Sequence, residues 1–172
     1  IRKYINKPVP DEAVKQILQV GMAAPSEGNE QPWHFIVIKD RKTLVKVPAF
    51  HPHSHMLKEA ALAILVCYDP GLEMFRGRGI LDCSAATENI LLAAHAMGLG
   101  AVWLGIYPVE ERMSGMRKLL GLPSQIIPLS LVSMGYPDEK LREENRYKPE
   151  RVHYERWMGS ADIKSKNSKK VK

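Results

Sequence analysis

Ala24-Pro25-Ser26-Glu27-Gly28-Asn29-Glu30-Gln31-Pro32-Trp33 separates a helical pattern from a strand pattern. Upstream, Val14, Ile17, Leu18 and Met22 recur at helical spacing. Pro10 opens that run, followed by Asp11 and Glu12. A helix start tolerates proline, because the missing N–H would be unpaired there, and it favours acidic side chains at the positive end of the dipole. Pro25 predicts the end of the helix. Downstream, His34-Phe35-Ile36-Val37-Ile38 is rich in β-branched and aromatic residues and predicts a strand. Between the two lie Ser26, Gly28 and Asn29, short groups that offer hydrogen bonds and leave backbone N–H exposed. Composition alone reads as a surface turn. A loop of this chemistry between packed elements also suits a polar planar ligand.

Working outward, Leu62 to Tyr68 is a continuous apolar run and predicts an interior strand, ended by Asp69-Pro70-Gly71. From about Gly79 to Met97 the chain is apolar almost all round, which predicts a buried central helix. Gly98 and Gly100 turn it into the next strand. Val109, Met113, Met116 and Leu120 mark another helix, closed by Gly121 and Pro123. Ile127 to Met134 reads as the last strand, and Pro128 restricts that end to a sheet edge or a strand start. Short helices are expected near Lys42 to Val47 and Met56 to Ala60. The order helix, strand, strand, helix, strand, helix, strand predicts helices packed on a mixed sheet, an α/β or α+β sandwich.

The 172 residues suit one domain with a real core, and 45% of them are hydrophobic. The most apolar run, Ala60 to Cys67, is far shorter than the roughly 18 residues of a membrane span. No membrane partner is expected. The net charge of +6 owes much to the tail, where Lys164, Lys166, Lys169, Lys170 and Lys172 face only Asp162. We expect a basic, disordered tail over residues 158–172 and a single domain over 1–157. The tail has no aromatic residues for base stacking, so no nucleic-acid partner is expected. Cys67 and Cys83 lack metal or redox spacing and read as buried free thiols in a reducing compartment, which points to the cytoplasm.

Four stretches, in order, resemble the FMN-dependent nitroreductase family. Pro25-Ser26, Asn29 and Gln31-Pro32-Trp33 resemble its Pro-Ser-x-x-Asn-x-Gln-Pro-Trp motif. Arg2-Lys3-Tyr4 resembles the end of its opening Arg-x-Ser-x-Arg-x-Tyr/Phe segment, whose first Arg and Ser would precede Ile1. Asp82 to Ala94, with Gly98 to Gly105, resembles its central helix and following strand. Arg146 and Val152 to Trp157 resemble the C-terminal segment of its compact members. The likeness runs from Ile1 to about Trp157.

The resemblance implies an α+β fold: a three-layer α/β/α sandwich with a central mixed, mainly antiparallel sheet, in an intertwined homodimer with FMN at the interface. It makes Arg2 and Arg146 phosphate contacts, a role for which a guanidinium fork is apt. Glu144 departs from an often cationic position, where Lys148 could substitute, and His55 aligns with another cationic position. Pro25, Ser26 and Asn29 would lie against the flavin. Trp103, Leu104 and Gly105 would line it, with the Gly105 N–H toward N5 and no Cβ to obstruct the ring. His51-Pro52-His53-Ser54-His55 would put three histidines on one side of an extended strand, but no Cys or carboxylate pattern accompanies them. No metal is expected, and the stretch reads better as a pH-sensitive loop near the phosphate.

The implied function is an FMN-dependent oxidoreductase. It would take hydride from NAD(P)H onto flavin N5 and then reduce a small electron-poor acceptor, of nitroaromatic or quinone type. No Ser-His-Asp or Cys-His arrangement calls for a protein nucleophile. The rivals are a flavin-binding storage or sensing protein without turnover, and a dehalogenase or flavin-degrading member of the same superfamily. Those enzymes add a substrate-covering lid, and the segment from Asp69 to Gly79 is short for one.

Overall fold

The most apolar stretch of the sequence becomes an inner strand. In the computed structural model, which describes residues 1–142 and 144–157, β2 (Leu62–Tyr68) is buried along its whole length. A strand covered on both faces needs no polar alternation. It pairs with β1 (Trp33–Ile38) on one side and β4 (Ile127–Gly135) on the other, and β3 (Gly100–Gly105) pairs with the far side of β4. The order β1-β2-β4-β3 leaves β1 and β3 as the two edges. Every one of these pairings is antiparallel.

Period-two alternation along β2 divides the core. Leu62, Ile64, Val66 and Tyr68 pack with Val14 and Ile17 of α1 (Asp11–Met22) and with Cys83, Ala86 and Ile90 of α3 (Gly79–Ala96). Ala63, Leu65 and Cys67 pack on the other face, with Leu44 of α2 (Arg41–Leu44) and Met116 of α4 (Glu110–Leu120). The result is the three-layer α/β/α sandwich. Each fully buried Leu or Ile contributes about 1.5–3 kcal/mol, so truncating Ile64 or Leu65 would cost a large part of a domain's net stability. One polar contact crosses the first core: the hydroxyls of Thr87 and Ser130 lie 2.9 Å apart.

Three details qualify the sequence reading. Pro128 sits in an inner strand, not an edge. It is the second residue of β4, opposite Cys67, where the register slips between Val66 and Cys67. That bulge at the strand start accommodates the missing N–H. The two thiols are buried as expected, and burial pushes both up to about 12. The central helix α3 is buried on one face only, with Leu81 61% and Leu92 58% exposed on the other. No helix among the described residues is long and apolar enough to cross a membrane.

This architecture belongs to one compact unit, Ile1–Lys140; the described residues beyond Lys140 form a second. In the second unit Pro149–Arg151 makes a single 3-10 turn, and His153 stacks on Trp157 with ring centroids 4.2 Å apart. The lysine-rich tail expected at 158–172 lies outside the described residues.

Candidate functional site

Pro25 cannot continue a helix and disfavours a helical Ala24, so α1 stops at Met22. The loop that follows enters the left-handed region three times, at Gly28 (φ 52), Asn29 (φ 59) and Gln31 (φ 53). Glycine and asparagine accept that conformation; glutamine pays about 1–2 kcal/mol for it. Local bonds hold the strain. The Ser26 hydroxyl oxygen accepts the Gln31 N–H at 3.0 Å, and the Gln31 side-chain amide donates to Asn29 Oδ1 at 3.1 Å. Two expected ligand residues are therefore also the loop's own braces. Their remaining donors, the Ser26 hydroxyl proton and the Asn29 amide N–H groups, bond nothing among the described residues.

Carboxylates fasten this loop to its surroundings. Asp82 of α3 accepts the Glu27 N–H at 3.2 Å, and Glu30 accepts the N–H groups of Met74 and Phe75 at 2.8 and 3.0 Å. Glu73 accepts from the Gly77 N–H at 3.2 Å, and also from the Gly79 N–H and the Tyr68 hydroxyl. Asp82 Oδ2 and Glu30 Oε2 are buried without a partner. Burial pushes the Asp82 carboxyl up, against the pull of the Glu27 N–H. Phe75 covers Gly28 so closely that a Cβ there would stand 3.0 Å from its ring.

The β3 edge is organised in the opposite sense. Ile106 N–H donates to the Leu129 carbonyl at 3.1 Å, which sets the phase of the antiparallel ladder. Alternation then turns the backbone groups of Ala101, Trp103 and Gly105 away from β4. The outward carbonyls confirm that phase. Ala101 accepts from the Ile1 nitrogen at 3.1 Å, and Gly105 accepts from Arg112 Nη1 at 2.7 Å and from His51 Nε2 at 3.1 Å. The Gly105 N–H faces outward with no side chain to shield it, and a Cβ built there would meet nothing within 4 Å. Trp103 stands beside it, 36% exposed. Leu104 differs from its neighbours: its side chain is buried in the α4-side core and its backbone faces β4. It can set the register of Gly105 but offers no side chain to a ligand.

The candidate phosphate residues are dispersed. Arg2 is exposed at the Ala101 end of β3, and its guanidinium bonds nothing among the described residues. Gly105 lies four residues further along that edge, about 13 Å away at strand rise. His55 is exposed at the start of a 3-10 turn, His55–Lys58, whose carbonyls at Leu57 and Lys58 each accept from Arg41 at 2.8 Å. In the second unit, Arg146 lines a cleft of about 370 Å³ with Leu141, Arg142 and Glu144. There its Nε and Nη2 both donate to one Glu144 oxygen, at 3.0 and 2.8 Å. Lys148 is exposed just before the 3-10 turn. A larger groove of about 640 Å³ between α1 and β1 is lined by none of these residues.

The histidine stretch is no strand. Ser54 donates both N–H and hydroxyl to the His51 carbonyl and bends the chain, so His51 is buried while His53 and His55 are exposed. No cluster that could hold a metal occurs among the described residues. Sequence reading gives Arg112, Asp82 and Glu30 no role and takes His51 only as one of three histidines in a pH-sensitive loop. An acid in the first turn of a nearly apolar helix is the visible sign for Asp82; Arg112 in a Glu-Glu-Arg run carries none.

With loop and edge in place, comparison with known proteins is decisive. The profile of the Nitroreductase family matches residues 1–76 and 51–136. The chain belongs to the nitroreductase family. It is 50% identical over 161 residues to an Archaeoglobus fulgidus protein provisionally named NADH dehydrogenase/NAD(P)H nitroreductase, covering 91% of this chain and 92% of that protein. An FMN-dependent nitroreductase of Clostridium difficile is 29% identical with a TM-score of 0.84, covering 91% of this chain and 94% of the other. A Desulfovibrio desulfuricans protein, provisionally called a nitroreductase and solved in complex with FMN, is 32% identical with a TM-score of 0.78 and covers 92% of each chain. The two solved structures share this fold over more than nine-tenths of the chain.

Proposed function

We propose that the chain binds FMN and acts as an NAD(P)H-dependent oxidoreductase on small electron-poor acceptors, as a cytoplasmic homodimer. The observation that carries this reading is the β3 edge, where an outward N–H sits on a residue without a side chain, over open space. A flat ring can approach that backbone as it could approach no other residue type. The residues fit the group. We assign Arg2, at the far end of the same edge, to the anionic tail, with Arg146, Lys148 and His55 as further phosphate contacts. Ser26 and Asn29 supply a ring-edge or polyol contact through the donors left over from bracing their loop, and Pro25 lies against the ring. Trp103 offers an aromatic wall. FMN, when bound, would supply the redox chemistry, hydride transfer from NAD(P)H to the acceptor. The chain orients the ring, neutralises the phosphate and places a donor at the ring edge.

Strand order supports two chains per site. The loop leads into β1 and Gly105 ends β3, the two opposite edges, three strand spacings or about 14 Å apart. A second copy can bring its loop to this chain's β3 edge, and the exposed Leu81 and Leu92 of α3 provide an apolar face for it. The test is an absorbance spectrum of the purified protein after incubation with FMN, then anaerobic titration with NADH and NADPH and turnover with a quinone. We expect a yellow dimer that oxidises nucleotide steadily, and an Arg146→Ala variant that binds FMN more weakly. A protein that stays colourless overturns the reading; a yellow protein without acceptor turnover is a storage protein instead.

A further inference from the structure

The Gly105 carbonyl is the most heavily supported outward group on the β3 edge. Two donors reach it from different elements, Arg112 from the first turn of α4 at 2.7 Å and His51 at 3.1 Å. A carbonyl only accepts, so the His51 proton is on Nε2 and its Nδ1 is the buried lone pair without a partner. Burial, with the Arg112 charge nearby, holds His51 below the usual histidine range, in keeping with a neutral ring. The two partners do more than brace the strand. An uncovered carbonyl beside the Gly105 N–H would repel an electron-rich ligand edge; here it is covered. The fixed charge of Arg112 lies within hydrogen-bond distance of the same residue, in half-buried surroundings where charge is only partly screened.

We propose that His51 and Arg112 are positioning residues for the flavin site: by capping the Gly105 carbonyl they make the β3 edge present a lone donor, in positive surroundings, to a ring edge that gains electron density on reduction. This rests on the FMN reading above and deepens it. The pair should stabilise the reduced cofactor over the oxidised one, because the added negative charge meets both the N–H and the guanidinium.

The experiment compares the parent with His51→Leu, His51→Gln, Arg112→Met and Arg112→Lys, all loaded with FMN. Three quantities are measured: the FMN dissociation constant, the two-electron midpoint potential of the bound cofactor, and the carbonyl carbon shift of Gly105 in the ligand-free protein. Arg112→Met should lower the preference for reduced over oxidised FMN about tenfold, a fall of about 30 mV. His51→Leu should shift it the same way by less. His51→Gln, which keeps a donor at similar reach, should recover most of that loss. Both donor-less variants should move the Gly105 carbonyl shift. Unchanged potentials in folded, flavin-loaded Arg112→Met and His51→Leu overturn the proposal, as does a Gln variant no better than Leu or a carbonyl shift that stays put. A parent that binds no FMN overturns the reading beneath it, and the proposal with it.

Discussion

Around the loop before β1 and in the neighbouring segment 70–79, backbone N–H groups are held by acids; at the β3 edge, backbone carbonyls are held by bases. Asp82, Glu30 and Glu73 hold the amides of Glu27, Met74, Phe75, Gly77 and Gly79. His51 and Arg112 hold the carbonyl of Gly105. The contrast determines what each region has left for a ligand. Within the loop the amides of Glu27, Asn29, Glu30 and Gln31 are occupied, the first by Asp82 and the rest by the loop's own oxygens, so it must work through the Ser26 hydroxyl and the Asn29 amide. The edge has its carbonyl occupied, so it works through a bare backbone N–H. The first region tolerates several ligand edges, because hydroxyl and amide can each donate or accept. The second, at Gly105, admits only an acceptor.

The sharpest way to break this comparison is Gly105→Ala. The added Cβ meets nothing in the protein, so the melting temperature should match the parent's. FMN affinity should nevertheless fall at least tenfold, about 1.4 kcal/mol, because the methyl occupies the space the ring needs. Equal dissociation constants by fluorescence titration would remove the edge from the site. On the loop side, Glu30→Ala leaves two amides without their acceptor and should cost about 2 kcal/mol in urea unfolding, with faster hydrogen exchange at Met74 and Phe75. Protection unchanged at those two amides would show that the acid does not hold them.

Asn29 separates backbone from side chain. Asn29→Ala must hold a left-handed φ of 59 with a plain Cβ and should lose about 1 kcal/mol, while Asn29→Gly should keep stability and lose only ligand affinity. Equal stability losses in both variants would assign the residue's role to its side-chain bond with Gln31. The smallest effect concerns pH. The Asp82 carboxyl titrates higher in the folded protein than its unfolded value of about 3.9. Its contribution to stability is complete below that value and is lost as pH rises through the folded one. The stability of Asp82→Asn relative to the parent should therefore increase from pH 4 upward and then level off. A flat difference in urea midpoints across that range would mean that Asp82 carries no buried charge.

Much of the architecture was legible because it is local. Val14, Ile17 and the run Leu62–Tyr68 are buried where their periodicity puts them. The left-handed turn at Asn29 suits the residue types of the motif. Pro128 was ambiguous, since a missing N–H fits an edge or a strand start equally, and only the pairing with Cys67 across a bulge decides. The histidine stretch misled in its geometry. Alternate spacing implies one face only in an extended chain, and Ser54 bends this one. Leu104 reads like its neighbours in sequence but turns its side chain into the core.

By itself, the sequence determined the element order, the buried central strand, the loop chemistry and, through its motifs, the family. Those features depend on residues close together along the chain, where period and side-chain type are sufficient. Tertiary structure alone decided that β1 and β3 are the edges, that Asp82 reaches Glu27, and that His51 meets Arg112 at the Gly105 carbonyl. These contacts join residues up to 55 positions apart, and one-dimensional spacing carries no information about which outward groups a packed core will bring within bonding distance.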